Sequence, residues 1–310
     1  VSKTTLLFPG QASQYVGMGK ELYDASAEVR TLYDLASDEL GEDIARLSFE
    51  GPSDRLRRTR FTQPAILLHS LAVLTLIRDD LADFDYAAGH SLGEYAALAV
   101  SGSLTFPDAI KAVVRRAALM EEACVLNPGT MAATMGLSTE AVEDICRQAS
   151  VTGVVVPANF NSTTQVVVSG SVAAVEHAVE LARQAGAKRA IMLEVGGAFH
   201  SPLMEPARSG LREYLASVSI EAPETPVVAN VTARAVVNGR TVRELLVEQV
   251  TAPVKWAQTM AFLKAQGVTH VIEIGPGKVL SGLARREMRP EQVLNLDTLQ
   301  DIKAFASVAV

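Results

Sequence analysis

The residues Gly89-His90-Ser91-Leu92-Gly93 hold the clearest chemistry in the chain. They follow the apolar run Tyr86-Ala87-Ala88 and precede the helix-forming stretch Glu94-Tyr95-Ala96-Ala97-Leu98-Ala99. A G-x-S-x-G pattern between a strand and a helix puts its serine on a sharp, strained turn, with the hydroxyl pushed into open space. The flanking glycines let strand and helix crowd in. The helix behind the turn aims free N–H groups and partial positive charge at any oxyanion formed there. The plainer alternative is a glycine-bounded turn whose serine caps the helix. The strand–helix context favours a nucleophile.

A serine hydroxyl attacks only when a base takes its proton, and histidine is the usual base. The chain has five histidines. His69 falls in an apolar helix and reads as a core or boundary residue, and His177 lies on the polar side of a helix. His270 begins a strand with no site neighbour. His90 is adjacent to Ser91, where side chains diverge at a sharp turn. His200 remains: it follows Gly196-Gly197-Ala198-Phe199, and Ser201-Pro202 after it suits a cap and a first helical position. A histidine on such a junction loop is well placed to line a cleft. Glu94, Asp108 and Glu194 are candidates for a third, acidic member, and nothing in the sequence singles one out.

These residues need a frame. Up to about residue 124, strands at 3–8 and 86–89 alternate with helices at 17–26, 29–40, 64–78, 92–101 and 107–123. Asn127-Pro128-Gly129 breaks the pattern. Met131–Met135, a helix over 139–149, strands at 154–156 and 165–168, a helix with the stripe Val172, Val175, Val179 and Ala182, and a strand over 188–195 then spell β-α-β-β-α-β. Ser171 reads as that second helix's cap and Gly186 as its end. The larger unit resumes with helices at 202–217, 241–249 and 256–266, strands at 226–230 and 269–274, a helix opened by Gly275-Pro276-Gly277, and a strand at 293–296. The expected fold is α/β: a large α/β-hydrolase-like domain with a mainly parallel sheet (residues 1–127 and 197–310), and an inserted ferredoxin-like small domain (128–196).

Composition narrows the classes. The chain has 310 residues, 48% of them hydrophobic and 20% charged, with a net charge of −7, which argues against nucleic acid as the main partner. No apolar run approaches the roughly 18–20 residues of a membrane span. The longest, Ala65–Ile77, is broken by His69, Ser70 and Thr75 and reads as a buried helix. Lys3–Phe8 reads as a strand and not as a signal peptide. Cys124 and Cys146 have neither metal nor disulfide-framework spacing, so a reducing cytoplasm is expected. Arg55-Leu56-Arg57-Arg58-Thr59-Arg60 is a cationic run, readable as solvated surface or as a docking point for an acidic partner.

Taken in order, the segments resemble the malonyl-CoA:acyl carrier protein transacylase family and the related acyltransferase domains of polyketide synthases. The resemblance runs over nearly the whole chain. It rests on Phe8-Pro9-Gly10-Gln11-Ala12-Ser13-Gln14, Gly17-Met18-Gly19, Gln63-Pro64-Ala65, Gly89–Tyr95 and Arg116 before Met120. It continues through Asn159-Phe160-Asn161-Ser162, Gly197–Ser201, Gln249 before Pro253-Val254, and Glu273–Leu280. It implies that Ser91 carries the acyl group as an ester, with His200 as base and then acid. It also implies that a main-chain carbonyl near Gln249 orients the histidine where no carboxylate could be assigned. The N–H groups of Gln11 and Leu92 would form the oxyanion hole. Arg116, which alone reads as a surface charge beside Arg115, would hold the free carboxylate of malonate.

Asn159, Asn161, Phe199 and Gln249 would support the site, the Phe199 ring crowding out an α-methyl group. The family needs no metal and no tightly bound cofactor; malonyl-CoA and a transiently bound acyl carrier protein are the partners. A monomer is expected, working in fatty acid synthesis as a single unit without fused modules. A trans-acting acyltransferase of polyketide assembly or of malonate decarboxylase would share the motifs. Two departures stand out. Thr163-Thr164 replaces the Pro-Gly of many relatives, and Ala12 replaces a glycine, read as a conservative change. A serine hydrolase or a scaffold with a lapsed site are the rival classes. The ordered motifs and the intact Ser91, His200 and Arg116 weigh against both.

Overall fold

A computed structural model describes residues 2–307. Among these residues ten strands, numbered in chain order, build two sheets. β1 (Lys3–Phe8) and β2 (Tyr86–Gly89) come first, then β3 (Thr130–Met135), β4 (Val155–Ser162), β5 (Gln165–Gly170) and β6 (Arg189–Met192). β7 (Val227–Ala229), β8 (Arg234–Val236), β9 (Val268–Ile274) and β10 (Gln292–Leu296) complete the set.

The first sheet has six strands in the order β10-β9-β1-β2-β7-β8. All pairings are parallel except β7 with β8. Its central strands are buried on both faces, as a sheet covered by helices on each side requires (Leu6, Leu7, Phe8, Ala87, Ala88, Val227 and Val228). β2 and β1 run in register from Tyr86 against Thr5 to Gly89 against Phe8, so the two strands end together and release their loops at one edge. Ligand sites in open parallel sheets lie outside these carboxyl ends.

The second sheet is antiparallel, ordered β4-β5-β3-β6, with the helices Thr139–Ala149 and Val172–Gln184 between its strands. That is the expected β-α-β-β-α-β unit. It closes on its own core of Val142, Ile145, Val166, Val168, Val175 and Val179. Val172 is an exception to the expected stripe: it is 45% exposed, and Ala174 and Ala178 fill the buried face instead. Ser171 precedes this helix, but its hydroxyl bonds Val154 O and makes no cap. The strand expected over 188–195 pairs only as far as Met192.

Three other differences have physical causes. The helix expected to open at Pro64 begins at Thr59, leaving Pro64 in its interior. Burial of Phe61, Thr62 and Gln63 outweighs the roughly 3 kcal/mol such a proline costs. This helix, Thr59–Ile77, is the one among the described residues long and apolar enough to cross a membrane, and 83% of its apolar window is buried inside the fold. The short helices Ile44–Glu50 and Ser53–Leu56, the strand β8 and the helix Leu299–Ala306 have too few residues to show a period. Finally, the arginine run is not a free cationic patch. Arg55 pairs with Glu42 (2.7 Å), Arg57 with Glu194 (3.2 Å) and Arg58 with Glu121 (3.2 Å), and Arg60 donates to Leu40 O (3.0 Å).

Candidate active site

The turn after β2 has the strain that its sequence implies. Ser91 has φ 52°, in the left-handed region that a serine rarely adopts. A Cβ on Gly89 would meet Gly93 C at 1.9 Å, and one on Gly93 would meet Phe8 O at 2.2 Å. Both glycines are therefore demanded by close backbone approach. Gly93–Val100 forms the helix behind the turn. The Ser91 N–H donates to Asn230 Oδ1 (2.7 Å), so the nucleophile's own amide is occupied.

Ser91 Oγ lies 2.9 Å from His200 Nε2, and His200 Nδ1 lies 2.8 Å from the main-chain oxygen of Gln249. A carbonyl can only accept, so Nδ1 carries the proton and Nε2 is left to accept from the serine. Glu94, Asp108 and Glu194 make no hydrogen bond to His200. His200 is itself left-handed (φ 58°) and 4% exposed. Burial, followed by the positive charge of Arg116, pulls its pKa from 6.5 to about 3. It is thus an unprotonated base at neutral pH.

Arg116 extends from the helix Phe106–Leu126 and is 1% exposed. Its Nη2 donates to Ser91 Oγ (3.0 Å) and to Gln249 Oε1 (3.0 Å), and its Nη1 to Gln63 Oε1 (2.6 Å). Tyr95 stacks beneath it, 5.9 Å from ring centroid to Cζ. No carboxylate touches the guanidinium, and its Nε–H is buried without a partner. A guanidinium has five N–H donors, so this one keeps donor capacity for an anion beside the nucleophile. Burial acts against its charge and lowers its pKa.

The remaining predicted residues surround this group. Neither the main-chain N–H of Gln11 nor that of Leu92 donates to a protein acceptor among the described residues, while the Gln11 side chain reaches Thr59 Oγ1 (3.5 Å). The loop bearing Gln11 is pressed onto the serine turn, since a Cβ on Gly10 would meet His90 O at 2.5 Å. Asn161 Oδ1 lies 2.9 Å from His90 Nε2, which turns His90 away from the nucleophile as expected. Asn159 is in β4, with its side-chain oxygen buried and unpartnered. Phe199 is buried in the main core. Ala12 has φ 80°, so its replacement of a glycine is a strained change and not a conservative one. The turn bearing Thr163 bonds Glu287 across the gap between the two sheets (3.3 Å from Thr163 N).

Sequence reasoning assigned no role to Gln63, to Asn230 or to Glu94 in its observed setting. Gln63 stood inside a quoted motif. Asn230 ended a predicted strand, and no local pattern distinguishes it. Glu94 is 2% exposed and accepts from Asn230 N (3.0 Å) and Gln249 Nε2 (2.8 Å). Burial raises its pKa to about 7 against those bonds and the charge of Arg116.

An elbow serine, a buried imidazole held by a carbonyl and a parallel α/β sheet define a serine acyl-transfer protein. A family model described as the acyl transferase domain matches residues 5–305. The chain is 44% identical over 290 residues to the malonyl CoA-acyl carrier protein transacylase of Bacillus subtilis (strain 168), covering 93% of this chain and 92% of that protein. Among solved structures, an acyl-carrier-protein-S-malonyltransferase from Bartonella henselae superposes with TM-score 0.94 at 39% identity, over 99% of each chain. A malonyl-transacylase in complex with a type II polyketide acyl carrier protein superposes with TM-score 0.94 at 37% identity, over 99% of this chain and 100% of that one. The chain belongs to the malonyl-CoA:acyl carrier protein transacylase family.

Proposed function

We propose that this chain moves a malonyl group from malonyl-CoA to the phosphopantetheine thiol of an acyl carrier protein by way of an ester on Ser91. The observation that supports this best is Arg116 Nη2 standing 3.0 Å from the same Oγ that faces His200. A cation there meets the distal carboxylate of a malonyl group attached to Ser91, and a two-pronged guanidinium suits that task. In the first half-reaction Ser91 Oγ attacks the thioester carbonyl as His200 Nε2 takes its proton. The N–H groups of Gln11 and Leu92 receive the oxyanion. The C–S bond then breaks, and His200 returns the proton to the departing CoA sulfur. In the second half the carrier thiol gives its proton to His200 and attacks the ester, and Ser91 leaves reprotonated.

The Phe199 ring disfavours an α-methyl substituent, and Asn159 and Asn161 line the same cleft from β4. Residues 128–196 act as an inserted unit that forms one wall of it. The full-length likeness to bacterial transacylases supports a place in fatty acid synthesis. We assign the chain to the cytoplasm, acting as a monomer with its carrier protein bound transiently. Intact-mass measurement with malonyl-, methylmalonyl- and acetyl-CoA, then with candidate carrier proteins, tests the proposal. Malonyl on wild type and none on Ser91→Ala is the expected result. Arg116→Ala should shift preference from malonyl to acetyl by about tenfold or more, since an unpaired buried donor is costly. Rapid release of free malonate without any thiol would favour a hydrolase instead.

A further inference from the structure

One buried carboxylate has no part in the chemistry just described. Glu94 sits in the first turn of the helix behind Ser91. Its Oε2 accepts from two donors, Asn230 N (3.0 Å) and Gln249 Nε2 (2.8 Å), and each donor residue reaches the site with its other groups. Asn230 takes the Ser91 N–H on Oδ1 (2.7 Å) and donates from Nδ2 to Gly89 O (2.7 Å). Gln249 takes Arg116 Nη2 on Oε1 (3.0 Å) and His200 Nδ1 on its main-chain oxygen (2.8 Å).

The two ends of an amide are nearly the same size and opposite in character. Turned by half a circle, the Gln249 side chain would fill the same space but set its NH₂ against a guanidinium that can only donate. Glu94 offers the shorter of two acceptors at the far end, the other being the Ser91 main-chain oxygen (3.1 Å), and the pair selects the orientation with the oxygen on Arg116. We propose that Glu94 is a positioning residue for acyl selectivity: it fixes the Gln249 amide so that Arg116 is held on the acyl carboxylate. This rests on the role given to Arg116 above. A proton on the other carboxyl oxygen leaves Oε2 an acceptor, so the device works on either side of the titration near pH 7. Its physical content is acceptor placement and not charge.

The test is the ratio of kcat/KM for Ser91 acylation by malonyl-CoA to that by acetyl-CoA. Glu94→Gln keeps an acceptor at the junction and should hold the ratio within about twofold of wild type. Glu94→Ala should compress it about tenfold, the upper end of what one hydrogen bond is worth, mainly through a higher KM for malonyl-CoA. A melting point that falls in Glu94→Ala while the ratio holds would reduce the residue to packing and overturn the inference. So would Glu94→Gln behaving like Glu94→Ala, because charge would then be the operative property. If Glu94→Ala does not fold, Gln249→Met decides from the other end: it should compress the ratio to the same degree, and an unchanged ratio sinks the idea. Wild-type protein that takes no malonyl at Ser91 would overturn the transacylase reading and this inference together. Wild type that labels, with Glu94→Ala or Gln249→Met keeping the ratio, overturns this inference alone.

Discussion

Arg116 acts on both sides of Ser91. Its Nη2 donates to the Ser91 hydroxyl (3.0 Å), and its charge stands second to burial among the causes that depress His200 to about 3. Removing it withdraws that cause, so the acid limb of Ser91 acylation should move to higher pH in Arg116→Ala. A pH–rate profile with acetyl-CoA reads this directly. An acid limb that stays put or moves down would separate the two side chains electrostatically. The same depression has a thermodynamic face. The folded imidazole binds protons more weakly than an unfolded one of pKa 6.5, so its contribution to stability is complete above that value and drains away as pH falls towards 3. Ala12 offers a simpler residue-scale test. At φ 80° an alanine is strained where glycine is not. Ala12→Gly should therefore stabilise the protein by about 1 kcal/mol, after allowing for glycine's greater unfolded entropy, and raise the denaturant midpoint.

At the scale of elements, the elbow is held by backbone contact more than by side chains. β1, β2 and the helix Gly93–Val100 meet where Gly93 lies against Phe8 O and Pro9 O. Gly93→Ala has no room, and the neighbours it strikes are backbone atoms. It should cost about 3 kcal/mol or more in urea unfolding and abolish Ser91 labelling even where folded protein is recovered. This element was legible in the sequence because G-x-S-x-G is a local code: each residue's job is set by the turn it sits in. The placement of His200 against Ser91 was legible for a related reason, since few histidines competed and its glycine-rich loop marked a junction. Arg116 was not, because a helix period says which face is buried but not that a guanidinium will be enclosed with two glutamines. Glu94 and Asn230 escaped for the same cause. Their meaning arises only when β2, β7 and the helix Gly239–Gln249 converge from distant parts of the chain. Pro64 misled in the opposite direction: a local rule for helix starts gave way to burial of Thr59, Phe61, Thr62 and Gln63 before it.

At the scale of the whole molecule, the larger sheet carries an apolar core on each face, and the smaller sheet meets this body along one seam. The antiparallel sheet packs its own helices into a separate apolar cluster. It is joined to the larger body by Met131, Ala133, Ala158 and Val167, which pack into the main core, and by a short backbone bridge: Phe160 N donates to Val254 O (2.9 Å) and Val254 N to Ala158 O (2.8 Å). Side chains extend the seam through Asn161 with His90 and Thr163 with Glu287. Val254 lies five residues after Gln249, whose carbonyl accepts the His200 Nδ1–H, so coupling between the cores and alignment of His200 share one stretch of chain. Val254→Pro deletes the donor to Ala158 and tests this arrangement. Hydrogen exchange should show faster opening of β4 amides, Phe160 above all, while β1 and β9 keep their protection. A uniform loss across both sheets would instead mean that they unfold as one cooperative unit. In that case the smaller sheet does not open on its own, and the acyl selectivity we propose rests on Arg116 and its immediate partners alone.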